Sequence, residues 1–85
     1  MKNEWINTIN KWSKYFNEEY QLKWSYTIND KILSIMDDKN GVSADIIIDN
    51  IVDVINESCE LIFQLKDGQS ISLLGYDPKI NFYET

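Results

Sequence analysis

Four carboxylates recur at every fourth residue in the stretch ADIIIDNIVDVINE, residues 44–57: Asp45, Asp49, Asp53 and Glu57. Such a series can do two things. It can run acid–base chemistry, or it can present a negative stripe to a cationic partner. The rest of the composition narrows the choice. The chain has no His, which removes the usual general base and the usual zinc or iron ligand. It has no Arg, which removes bidentate clamping of phosphate or carboxylate. The single cysteine, Cys59, precedes an apolar run and reads as a small core residue, with no cationic neighbour in sequence to activate it. There is no Gly-rich phosphate loop and no G-x-S-x-G nucleophile motif. The acids at 37–41 (DDKNG) miss the calcium-loop spacing: counting from Asp38, the fifth position is Val42 and Gly41 comes two places early. These absences lead us to expect a protein that is not an enzyme and has no metal site and no cofactor.

Charge points the same way. Of 85 residues, eight are Lys and fourteen are Asp or Glu, a net charge of −6. The balance is uneven. Residues 1–31 carry five Lys against four acids, and residues 32–85 carry three Lys against ten. A surface like that repels phosphate backbones, so direct nucleic-acid binding is not expected. With 44% hydrophobic residues the chain can bury a core, and its length suits one domain spanning 1–85. No apolar run approaches the ~20 residues that span a bilayer, and the N-terminus lacks the apolar run of a signal peptide. The expected location is the cytoplasm.

Several elements must position these residues. Trp5, Ile9, Trp12 and Phe16 recur at i, i+4, i+7 and i+11, which predicts a helix from Asn3 to about Phe16, capped by Asn3 with Glu4 in its first turn. Leu22 to Ile28 alternates and predicts a strand. A turn centred on Asn29-Asp30 would lead into a second strand, Lys31 to Met36, with Tyr26 opposite Leu33 and Trp24 opposite Ile35. Cys59–Leu65 and Gln69–Gly75 form a second hairpin. A three-residue loop, Lys66-Asp67-Gly68, matches their apolar faces by pairing Phe63 with Ile71 and Leu61 with Leu73. Pro78 should end the regular structure. The aromatic tail from Tyr76 to Thr85 should pack as a further strand or strap.

The acidic stretch is ambiguous. At 100° per residue, Asp45, Asp49, Asp53 and Asn56 fall within about 80° of one another, with Ile and Val filling most of the other half. Ser43 would cap such a helix. Half of the fourteen residues are β-branched, which favours strands broken near Asp49-Asn50 and Asn56–Ser58. Periodicity makes the helix the leading reading. The expected fold is then α+β, order α-β-β-α-β-β with an ordered tail. The alternative is one helix on a five- or six-stranded bent sheet or small barrel.

The expected function follows from what is left: a non-catalytic inhibitor of a basic protein, such as a nuclease or a nucleic-acid-binding protein, in the manner of toxin-immunity and phage anti-defence proteins. Asp45, Asp49, Asp53 and Glu57 would form the contact surface, on a monomer or homodimer. Two other readings are a regulatory or adaptor domain that self-associates through a sheet edge, and a small-molecule sensor lined by Trp12, Trp24 and Tyr26.

Overall fold

A computed structural model describes residues 2–77 and 79–83 of the chain. Helix α1 (Asn3–Tyr20) is followed by seven strands: β1 (Trp24–Asn29), β2 (Ile32–Asp37), β3 (Val42–Ile47), β4 (Ile51–Glu57), β5 (Glu60–Leu65), β6 (Ser70–Leu74) and β7 (Lys79–Tyr83). A single 3-10 turn, Ile48–Asn50, joins β3 to β4. The strands make two antiparallel meanders, β1-β2-β3 and β4-β5-β6-β7. The helix packs against β4 and β1, while β3 lies beside β7. The result is an α+β domain with two sheets and no closed barrel. No helix among the described residues is long and apolar enough to cross a membrane.

The helix forms on the expected stripe: Trp5, Ile9, Trp12 and Phe16 are all buried. It runs a turn beyond Phe16, where Tyr20 stacks on the Phe16 ring with centroids 5.6 Å apart. Gln21 then stops it in the left-handed region (φ 56). Asn3 is not the cap. It is the first helical residue, Lys2 takes the cap position, and no side chain bonds the free amides there.

The second helix is not formed. Residues 42–57 are β3, the Ile48–Asn50 turn and β4, so the order α-β-β-α-β-β is replaced by one helix and seven strands in two sheets, which also differs from the alternative of one helix on a five- or six-stranded bent sheet or small barrel. Strand burial explains why this wins. Ala44 and Ile46 are buried on β3, and Ile51 and Val54 on β4, while Asp45, Ile47, Val52 and Asp53 face out. A bulge between Ile51 and Asp53 resets the alternation, which puts Ile51 inside and Asp53 outside.

The first hairpin has the expected faces in a different register. Its two-residue loop is Asp30-Lys31, with Asp30 at φ 60, so Tyr26 pairs with Ile35 and Trp24 with Asp37. The turn therefore lies one residue later than expected, and the even shift leaves Trp24, Tyr26, Leu33 and Ile35 on the same side of the sheet. The second hairpin pairs Phe63 with Ile71 and Leu61 with Leu73, as its apolar faces require, with Gly68 at φ 84. The tail supplies β7 on β6, with Ile80 packed on the core. Pro78, Glu84 and Thr85 lie outside the described residues.

Helix and sheets are joined at Trp24. The Asn17 side-chain amide donates to the Trp24 carbonyl (2.9 Å), and its oxygen accepts from the Trp24 amide (2.7 Å). The Trp24 indole donates to the Gly75 carbonyl (3.1 Å), and its ring packs on Trp12 with centroids 4.7 Å apart. The Cys59 carbonyl accepts from the Trp12 indole (3.4 Å) and from the Gly75 amide (2.9 Å). Gly75 lies so close to Phe16 that a Cβ there would sit 2.4 Å from the ring.

Two outcomes follow. Asn17→Ala strands the Trp24 amide and carbonyl and should cost about 1–3 kcal/mol. In a domain of this size each kcal/mol lowers Tm by about 4–8 °C, read by thermal melting. Gly75→Ala should destabilise more than any exposed Ala substitution, because the added methyl would overlap the buried Phe16 ring.

Candidate functional site

Each of the four acids sits in its own setting. Asp45 is exposed on the outer face of β3, where the Ser34 hydroxyl donates to it at 2.6 Å. Asp49 lies in the 3-10 turn and pairs with Lys31 at 3.7 Å, both side chains well exposed. Asp53 and Glu57 lie on β4, two positions either side of Ile55, and so share the outer face of the second sheet. The helical patch that would have gathered all four is absent. Strand β4 places Asp53 and Glu57 on one face, about 13 Å apart along the strand, and separates them from Asp45 and Asp49.

Strand pairing adds a residue to that face. Asp53 stands opposite Gln64, Ile55 opposite Ile62, and Glu57 opposite Glu60. Glu57 is exposed, Glu60, Ile55 and Ile62 are half-buried, and the Glu60 carboxylate also accepts a hydrogen bond from the buried Ser72 hydroxyl. The outer face of β4–β5 thus has an apolar centre, Ile55 and Ile62, with one acid at one end and two at the other. Like charges directly opposite in an antiparallel pair destabilise it. Glu57 and Glu60 are such cross-strand partners, with the Glu60 carboxylate turned toward Ser72 on β6. Glu60 was readable in principle: the hairpin register puts it on the side opposite Leu61 and Phe63, and a break near Asn56–Ser58 would have set it against Glu57.

The aromatic residues that could line a sensor pocket do not enclose one. Trp12 and Trp24 are buried and packed ring on ring, and Tyr26 packs against the same core. Two open clefts lie elsewhere. One of about 340 Å³ is lined by Ile6, Ile28, Asp30, Lys31, Ile48 and Asp49, and one of about 260 Å³ lies at the β4 bulge and the β5–β6 turn. Among the described residues, no group of three or more His, Cys, Asp or Glu stands close enough to hold a metal ion.

One carboxylate does have a distinct environment. Asp37, at the end of β2, is fully buried. Burial pushes its pKa up, but hydrogen bonds from the Asn40 side chain and from the Lys23, Lys39 and Asn40 amides outweigh this and leave it below the ordinary carboxylate value. The Lys23 amide donates to Oδ1 at 2.9 Å and the Asn40 side chain to Oδ2 at 2.5 Å. This charge is structural: it ties the start of β1 to the β2–β3 turn. A depressed pKa means that Asp37 stabilises the fold above its unfolded pKa of about 3.9 and that the gain is lost as pH falls through the lower folded value. Asp37→Asn should therefore cost about 1–3 kcal/mol at neutral pH. The difference from the parent should shrink in melts taken below about pH 4.

No protein-family model, no curated protein and no solved structure matches this chain.

Proposed function

We propose that this chain is a non-catalytic protein-binding module that inhibits a basic partner, a nuclease or a nucleic-acid-binding protein, in the manner of toxin-immunity and phage anti-defence proteins, from a place in the cytoplasm. The contact surface is the outer face of β4–β5. Asp53, Glu57 and Glu60 supply charge there, and Ile55 and Ile62 supply an apolar centre. Asp45, on β3, and Asp49, in the Ile48–Asn50 turn, lie outside it.

The observation that carries this reading is the opposed Glu57–Glu60 pair. Its repulsion works against the hairpin, and a cationic partner would relieve it. A chain of net charge −6 would also attract such a partner over long range. An apolar patch ringed by charge is the general anatomy of a protein contact. Acid–base catalysis is less well supported: these carboxylates lie on an open sheet face rather than in a cleft that excludes water.

The test separates binding from folding. Glu57→Lys converts a repulsive cross-strand pair into an attractive one, so Tm should rise. If the face binds, a basic protein captured in a 1:1 complex should be held less tightly by Glu57→Lys, by about tenfold or more. It should be held unchanged by Asp45→Lys, and binding should weaken with salt. A partner held equally well by Glu57→Lys and by the parent at all salt concentrations contradicts the proposal.

A further inference from the structure

We propose that Asn40 is a site of spontaneous deamidation, and that its conversion loosens the corner at which the start of β1 meets the β2–β3 turn. This inference is independent of the binding role.

Asn40 is the only asparagine in the chain followed by glycine. Both residues are exposed, and Gly41 takes φ +70 with nothing within 4 Å of the position a Cβ would occupy. The flank of the Asn40 side chain is therefore open where most asparagines are shielded by the next residue. The reaction needs only water and hydroxide. The Gly41 amide nitrogen, its proton taken by hydroxide, attacks Asn40 Cγ. A C–N bond closes a five-membered imide, the Cγ–Nδ2 bond breaks, and Nδ2 leaves as ammonia after taking a proton from water. A second water opens either imide carbonyl and leaves aspartate or isoaspartate at position 40.

The fold restrains this reaction and is also exposed to its product. The Gly41 amide donates to the Asp37 carbonyl at 2.9 Å, and Asn40 Nδ2 donates to Asp37 Oδ2 at 2.5 Å. Attacking nitrogen and leaving nitrogen are both engaged, so the folded chain should react more slowly than the unfolded one. After reaction the donor is gone. A second carboxylate faces buried Asp37, whose own oxygens hold the Lys23 and Lys39 amides. Loss of a hydrogen-bond donor to a buried charge and the arrival of a like charge act in the same direction.

The experiment incubates the folded chain in mildly alkaline buffer at body temperature, beside a sample held in denaturant. Mass spectrometry follows the peptide containing Asn40. The expected result is a one-dalton gain on that peptide, slower in the folded sample. The Asp67-Gly68 step can isomerise by the same imide without a change of mass, and fragmentation of the peptide places the gain at Asn40 rather than at Asn50 or Asn56. Melting of the folded sample should shift down by several degrees in proportion to the gain. Asn40→Asp should reproduce that shift, and Asn40→Gln, which closes a five-membered ring far less readily, should show no gain. The proposal is overturned if Asn40 is intact in the folded chain when the denatured sample has fully converted. It is equally overturned if the converted protein melts with the parent. Should Asn40→Asp fail to fold, the incubated parent still gives the same two readouts.

Discussion

The structure depends on how Trp24 is held. Its backbone is bonded on both sides by one asparagine side chain from the helix, its indole N–H reaches the Gly75 carbonyl, and its ring rests on Trp12. One residue at the start of β1 thereby joins α1, the first sheet and the β6–β7 connection. Two meanders of three and four strands have edges that need covering. Here the helix packs against the two edge strands β1 and β4, and β3 comes beside β7. Asn17 stands in for a neighbouring strand at the first residue of β1, since it offers the donor and the acceptor that a ladder would supply. The Cys59 carbonyl plays the matching part on the second sheet, accepting from Trp12 and from Gly75.

That arrangement decides where the acids go. A short 3-10 turn at Ile48–Asn50 carries the chain from one sheet to the other. Asp45 lies before it, Asp49 within it, and Asp53 and Glu57 after it. The corner splits a regular series into separate environments, and antiparallel pairing then assembles a different set, Asp53, Glu57 and Glu60, around Ile55 and Ile62. Burial of the inner face is what sets this register, with Val54 against Phe63 and Leu61 against Leu73. The surface chemistry follows from the core packing.

Much of this was legible in the residues. The helical stripe, the pairing of Phe63 with Ile71 and an ordered tail strand all follow from periodicity and turn chemistry. The acidic stretch was misleading for a definite reason. Residues four apart share a face in a helix, but they also share a face in a strand, because four is a multiple of two. The recurrence of Asp45, Asp49, Asp53 and Glu57 therefore could not discriminate between the two. Two departures from simple strand alternation have local explanations. The run Ile46-Ile47-Ile48 reads inside, outside, then corner, with Ile47 exposed. Asp53 and Ile51 would share a face in a regular strand, and the bulge at Val52 separates them. The abundance of Ile and Val was the better guide, since β-branched residues fit a pleated surface. A bulge and a 3-10 corner carry no strong residue signature here, so the register of the acids could not be reached by counting alone.

The conformation of residues 44–57 is the claim on which the binding surface rests, and backbone NMR tests it most directly. Extended chemical shifts across 44–47 and 51–57 are the predicted result, with cross-strand contacts from Ala44 to Ile35 and from Asn56 to Leu61. Helical shifts throughout the segment, with contacts between residues three and four apart, would contradict the account. They would return the four acids to a single helical stripe.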